Sequence, residues 1–421
     1  MSKMKRGRLT GLLTGIALVV SSCSSDTPEP DKLTGTLKIA VMNQFSYYGT
    51  AGKILPFYFP NITFEMVDVE HGSPDQIAEQ IDELKPDIVT FLTPADYVTM
   101  LERGSLLDLS SRIKRDQFDL DPVHPQVVRY LKEISGGGTF GLAPVFNSTA
   151  LYYNIDLFNQ YGVPYPTDRM SWEELYQLAA RFPSGEGNAK VYGFRYYGGI
   201  NSQLSMVAHA EHLSYYDASM ENLQMNTDSW RHLFQTVMDW NKKGVVDTNI
   251  TDLFIEGRAA MTLGSPEYIS VLKEKGKEIN WSIVTTPSNS KDRDFNHSIG
   301  LNDIYTIHAK AASPDLAWEG LKFVNGDDIA KLQFKSLSTR TSYSREREGV
   351  SLEPFYKLNF DTFGTFESLR RRGVPADFPN SLNKLVNQKT EAVMKGTLTP
   401  NEALEQIQNE GQLLLRSAKA P

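Results

Sequence analysis

Three residue patterns in this sequence suggest chemistry, each of a different kind. His209, Glu211 and His212 (HAEH) set two imidazoles three residues apart, a spacing that on a helix brings both to one face and would suit a metal ion. An isolated pair of this sort is more often packing, and no metal is assigned to it. Glu173 and Glu174 are adjacent carboxylates in the first turn of an expected helix, where the dipole favours acids. A glycosidase needs two carboxylates facing each other across a cleft, and nothing points to such a pair. Gly136 to Gly141 (GGGTFG) formally fits G-x-G-x-x-G. The dinucleotide fingerprint requires a strand before and a helix after. Here the pattern predicts a helix before (Val127 to Ile134) and a strand after, so these glycines read as a turn.

Covalent catalysis finds no foothold. There is no G-x-S-x-G elbow and no H-E-x-x-H run, and Cys23 is the single cysteine. The chain is expected to be no enzyme, and no cofactor is called for. The formal charge of -8, with no basic block beyond the first residues except Arg370-Arg371-Arg372, argues against nucleic acid as a partner. What remains is non-covalent recognition by planar polar side chains and aromatic faces, which suit pyranose rings.

The elements that would position such groups follow from periodicity. Leu37 to Val41 is a first strand, Ile62 to Val69 alternates strictly as a second, and Asp87 to Phe91 is a third, nearly all apolar. A helix is expected over Ala51 to Tyr58. Another starts at Ser73-Pro74-Asp75-Gln76, a capping box with proline in the first turn. This is β-α-β-α-β, an open and mostly parallel sheet, whose ligands bind beyond the carboxyl ends of the strands. Tyr47 and Tyr48 after the first strand, and Thr93 and Asp96 after the third, are therefore candidate ligand contacts. Gly193 to Gly198 reads as a short strand entering a glycine-rich loop, which makes Tyr196 and Tyr197 candidates too, with a helix from about Ser202 to Leu213. Trp230 to Lys243 is an amphipathic helix stopped by Gly244. No later stretch is long and apolar enough to span a membrane.

A longer pattern runs through Gly141 to Phe158 (GLAPVFNSTALYYNIDLF), Val163-Pro164-Tyr165-Pro166 and Ser171-Trp172-Glu173-Glu174-Leu175. It resembles the crossover segment of the family 1 extracellular solute-binding proteins, the sugar receptors of bacterial ABC importers. Further segments are similar to that family: Gly104 to Leu109, Asp252 to Met261, Trp281 to Val284 with Pro287, and Ser313 to Val324. Ser338-Thr339-Arg340 stands where the family has a P-T-R turn. The resemblance implies a two-lobed α/β fold of the maltose-binding-protein class (type II), each lobe a mixed sheet flanked by helices. Three crossings near 142–147, 300–304 and 338–342 would form the hinge. The lobes would be 36–142 plus 304–338 and 147–300 plus 342–421. A helix is expected to end at Gly257. The resemblance adds Asn147, Asp303 and Arg340 at the crossings, Ser265 where relatives place a stacking tryptophan, and Trp281 as candidate ligand contacts. It implies a monomeric receptor that hands a carbohydrate, most simply an oligosaccharide, to the transmembrane subunits of an ABC permease.

The start of the chain agrees with that role. Lys3 to Arg8 is a basic region, Leu12 to Val20 a short apolar run, and Val20-Ser21-Ser22-Cys23 matches a lipobox. Residues 1–22 are expected to be a cleaved lipoprotein signal and Cys23 the lipidated anchor. The polar stretch 23–35 would be a tether holding the protein at the outer face of the cell membrane or facing the periplasm. An exported carbohydrate hydrolase and a sensor lipoprotein without a transport role are the competing readings.

Overall fold

A computed structural model describes residues 29–42, 47, 52–91, 93–182, 190–248, 250–275, 279–301, 303–332, 336–375 and 377–419. The signal segment, Cys23 and Tyr48 lie outside the described residues. Structure is present ahead of the expected lobe start at 36: Pro30–Lys32 form one 3-10 turn, and the Asn61 amide donates to the Asp31 carbonyl (2.7 Å).

Strand β1 (Gly35–Val41) pairs in parallel with β2 (Ile62–Asp68), and β3 (Ile88–Phe91) runs parallel on the other side of β1. Of the helix expected over 51–58, Ala51 lies outside the described residues, 52–54 form a turn and Leu55–Tyr58 one helical turn. Helix α1 (Pro74–Leu84) starts as its sequence dictates. Ser73 Oγ accepts from the Gln76 amide, Gln76 Oε1 accepts from the Ser73 amide, and Ile77 and Ile81 bury on the sheet. Helices α2 (Pro94–Glu102) and α3 (Pro125–Ile134) follow. Gly136 and Gly137, both at positive φ (70° and 104°), then turn the chain into the short strand β4 (Gly141–Leu142), so the glycine run is a turn between helix and strand.

After β5 (Val145–Phe146) the chain enters a second sheet. It comprises β6 (Ala150–Asn154), β7 (Phe194–Arg195), β8 (Val246–Asp247), β9 (Met261–Gly264) and β10 (Trp281–Thr285), in the order β10-β6-β9-β7-β8. Its helices include α4 (Trp172–Ala179), α5 (Gly199–Ala210) and α6 (Asp228–Lys242). Trp172, Phe158, Phe194 and Trp230 bury in one cluster beneath them. The expected helix ending at Gly257 is instead a tight turn. Asp252 Oδ1 takes the Phe254 amide, and with Gly257 at φ 73° the Arg258 amide reaches back to the Leu253 carbonyl (2.8 Å).

The chain then returns through β11 (Phe295–Asn296) to β12 (Ile304–Ile307), which adds antiparallel to β3 and completes the first sheet in the order β2-β1-β3-β12-β4. Helix α7 (Pro314–Val324) packs beneath that sheet, and β13 (Leu337–Ser338) leaves it. Helices α8 (Phe363–Arg370), α9 (Phe378–Met394) and α10 (Pro400–Lys419) finish the chain, α9 and α10 lying against α5 and α6. The architecture is a two-lobed α/β fold.

The three segments expected to cross between the lobes are bonded to one another. β5 pairs with β13 (Leu337 opposite Phe146, Ser338 opposite Val145). Asn147 and Gly300 exchange both backbone bonds (2.9 and 3.0 Å), and the Thr339 amide donates to the Pro144 carbonyl (2.9 Å). A ribbon of three short segments, each too short to be stiff alone, is what a hinge requires.

Candidate functional site

Two adjoining cavities lie along this ribbon on the side of the second lobe. One, of 230 Å³, has Asn147, Thr149, Ser265, Ser298 and Ser336 in its wall. The other, of 490 Å³, continues from Thr149 and Ser298 to Tyr196, Ser202, Ser205 and His209, with His297 as a further wall. Cavities of this size hold small to drug-sized ligands.

Helix α5 supplies one wall because Ser202, Ser205 and His209, at i, i+3 and i+7, share a single face. The floor comes from the turn after β11. Ser298 Oγ donates to Asn296 Oδ1 (2.7 Å) and accepts from the Thr149 amide (3.1 Å), so the two segments that meet in both cavities hold each other. Asn147 Oδ1 accepts from Ser336 Oγ (3.0 Å), linking the first crossing to the third at the cavity edge.

Of the residues expected at the site, Asn147, Ser265 and Tyr196 are brought to these cavities. Tyr47 is buried in the core of the first lobe with Leu55 and Trp318. Thr93 and Asp96 bond each other as the cap of α2: Thr93 Oγ1 donates to Asp96 Oδ2 (2.5 Å) and accepts the Asp96 amide (3.2 Å). Tyr197 is 65% exposed beside the Arg195 guanidinium (6.0 Å to the ring centroid) and is outside both walls. Trp281 begins strand β10 at the sheet edge, with its ring 5.7 Å from that of Tyr152. Asp303 precedes β12, outside both walls. Arg340 is committed to protein partners. Its guanidinium pairs with Asp327 (3.1 Å) and donates to the Asn325 (2.8 Å) and Asp119 (3.0 Å) carbonyls.

Sequence reasoning missed Thr149, Ser202, Ser205, His209, His297 and Ser298 as wall residues. For α5 a signal was present, the polar stripe at helical spacing; for His297 and Ser298, in a turn between short strands, there was none. His209 and His212 do not share a helical face, because α5 ends at Ala210 and His212 adopts a left-handed conformation (φ 55°). His212 Nε2 instead contacts Asp361 Oδ2 (2.6 Å). Among the described residues no cluster of three metal-ligating side chains occurs.

The described walls carry no fixed cation. Among the described lining residues the ionisable groups are Glu267, Tyr196 and two imidazoles, with no Lys or Arg. Burial, reinforced by His209, pushes the His297 pKa down to about 3, and burial also lowers His209, so both imidazoles are neutral at physiological pH. His297 Nδ1 is buried without a hydrogen-bond partner among the described residues. Asp303 is pushed up to about 6 by burial.

Two pH effects follow, of opposite sign. A histidine depressed in the folded state binds a proton more readily once unfolded, so His297 removes stability as pH falls below the unfolded value of about 6.5. The variant His297→Gln should therefore lose less stability than wild type between pH 7 and pH 4.5 in urea titrations. Parallel slopes would disprove it. Asp303 is the reverse case: a raised carboxyl loses stability as pH climbs from the unfolded value of about 3.9 to about 6, and the cost persists above. Asp303→Asn should stabilise the protein by about 1–3 kcal/mol at pH 7.5 and by little at pH 3.5. A loss of stability at pH 7.5 would show that the carboxylate is satisfied in the folded state.

Comparison with known proteins places this geometry. A family model for the bacterial extracellular solute-binding proteins matches residues 40–331. The sn-glycerol-3-phosphate-binding periplasmic protein UgpB of Escherichia coli is 24% identical over 327 residues, covering 71% of this chain and 72% of that protein. Among solved structures, a sugar transporter protein from Rhizobium etli in an open conformation superposes with a TM-score of 0.63 at 18% identity, covering 90% of this chain and 99% of its own. An ABC substrate-binding protein from Listeria monocytogenes in complex with cycloalternan gives 0.59 at 16% identity, covering 90% and 99%. At such identities these structures establish the shared two-lobed fold.

Proposed function

The chain belongs to the bacterial extracellular solute-binding protein family, and on that premise we propose that it is the lipid-anchored receptor of an ABC importer for a neutral carbohydrate. The observation that carries the choice of ligand is the composition of the cavity walls. Hydroxyls of Thr149, Ser202, Ser205 and Ser298, the Asn147 amide and two neutral imidazoles offer donors and acceptors of both kinds, and no fixed cation is among the described lining residues. Phosphate recognition rests on charge-assisted bonds from Arg, Lys or a helix N-terminus. The walls therefore favour hydroxylated rings over the glycerol phosphate bound by the E. coli relative. Two cavities in series, sharing Thr149 and Ser298, favour more than one ring, hence an oligosaccharide.

In this reading the lobes are 36–142 plus 304–338 and 147–300 plus 342–421, and they close about the bonded ribbon. Ligand selects the closed state because only that state contacts it from both sides. The closed monomer then presents both lobes to the permease, and lipidation at Cys23 keeps it at the membrane. Thermal unfolding of the full chain in mild detergent, against oligosaccharides, monosaccharides and sn-glycerol 3-phosphate, tests the ligand class. A ligand at a hundred times its Kd should add about 2.7 kcal/mol. A midpoint raised by an oligosaccharide supports the reading, and one raised by glycerol phosphate alone overturns it. Metabolic labelling with palmitate, lost in Cys23→Ser, checks the anchor.

A further inference from the structure

Behind the cleft, helix α5 presents its opposite face to a second cavity. Ser202, Ser205 and His209 line the cleft, while Val207, about half a helical turn from Ser205, and Glu211, just past the end of the helix, line a cavity of 190 Å³ enclosed by α4, α6 and the loop at 290–291. Its lining comes from α4, the end of α5 with the turn after it, α6 and the loop at 290–291, and includes no residue of the ribbon between the lobes.

Its walls combine an aromatic and aliphatic lining with polar groups of both signs. Trp240 is half-buried with Tyr176 stacked in parallel on it (3.4 Å, 19°), and Val207 and Leu233 complete the apolar part. Trp172, only 1% exposed, also lines the cavity, and its indole N–H is buried without a hydrogen-bond acceptor among the described residues. Around these lie the carboxylates of Glu173 and Glu211, the Lys291 ammonium and the hydroxyls of Ser229 and Thr236. Glu211 is held in place by the Ser290 amide (3.0 Å) and hydroxyl (2.6 Å).

We propose that this cavity is a second binding site, separate from the cleft, for a single neutral polyhydroxylated ring of hexose size. The two glutamates disfavour an anion; Lys291 offsets one of them, and Glu211 already commits both carboxylate oxygens to Ser290, which leaves little for a cation to gain. Hydroxyls, which both donate and accept, satisfy carboxylates and ammonium together. The flat apolar face of a pyranose matches the tryptophan wall. The volume admits one ring and falls below that of drug-sized pockets.

The test uses the full chain in mild detergent with D-glucose, D-galactose and D-mannose as probes, read by saturation-transfer NMR and equilibrium dialysis. Ser202→Trp plugs the cleft, and Thr236→Trp plugs the second cavity. A hexose that still binds Ser202→Trp, and binds Thr236→Trp at least about tenfold more weakly, is the expected result. The exposed Ser229→Trp serves as an independent plug should Thr236→Trp fail to fold, and it should give the same loss. Hexose binding abolished by Ser202→Trp, binding unchanged by either plug of the second cavity, or no hexose bound at about 50 mM would each overturn the assignment. So would choline binding there in place of hexose. Because the cleft is read separately with oligosaccharide on Thr236→Trp, failure of this site leaves the transport reading standing.

Discussion

Replacing Ser202 with tryptophan is expected to weaken oligosaccharide binding by at least about a hundredfold, roughly 2.7 kcal/mol, while leaving the unfolding free energy within about 0.5 kcal/mol. Ser202 is exposed on α5 and lines the larger cavity, one turn from Ser205 and two from His209. Its contribution to the surrounding structure is a backbone carbonyl that accepts from the Tyr196 hydroxyl (3.4 Å), which substitution preserves. An indole at this position projects into the 490 Å³ cavity and removes the space a sugar ring needs, rather than one hydrogen bond among several. The milder Ser202→Ala should cost no more than about 1 kcal/mol of affinity. Isothermal titration with whichever sugar raises the unfolding midpoint reads both values. Unchanged affinity in Ser202→Trp would mean that the cleft ligand does not use the α5 wall.

Much of the fold was legible in the chain because it is written in local chemistry. The box at Ser73–Gln76 forms as read, and strict alternation from Ile62 yields a strand paired in register with β1. The segments near 142–147, 300–304 and 338–342 were expected as crossings from the resemblance alone, and the bonds of Asn147 to Gly300 and of Thr339 to Pro144 join them in space. The site was less legible, for a physical reason. Arg340 reads as a ligand-binding cation at a crossing, yet the guanidinium is occupied by Asp327 and two carbonyls of the first lobe, contacts at long sequence separation that no local pattern encodes. Thr93 and Asp96 read as cleft residues but satisfy each other in capping α2, a choice that sequence leaves open for any Thr-x-x-Asp before a helix. Conversely, His297 and Ser298 sit in a turn whose position is set by pairing of β11 with Asn359–Phe360 far downstream.

The dependence of the first lobe on chain that returns late leads to the largest stability effect expected. Trp318 is fully buried on α7, its indole N–H donates to Asp116 Oδ2 (2.7 Å), and its ring meets Phe118 edge-on (5.7 Å, 75°). Trp318→Ala should cost about 3–5 kcal/mol, the range for removing a large aromatic from a packed core. The lost hydrogen bond is the smaller part. Asp116 keeps Arg115 (2.6 Å) and Lys322 (3.0 Å), and the Arg115 bond is the main reason its carboxyl lies well below the usual carboxylate range. Trp318→Phe, which keeps most of the packing and loses the donor, should therefore cost only about 1–2 kcal/mol. The damage should also be local. Trp318 packs with Leu37, Ile39 and Ile307 beneath the first sheet, whereas α9 and α10 belong to the other lobe's cluster. Urea unfolding followed by hydrogen exchange should show amides of β1, β3 and β12 losing protection before those of α9 and α10. A loss under about 1 kcal/mol, or equal loss of protection in both lobes, would mean that the returning helix is not what holds the first sheet.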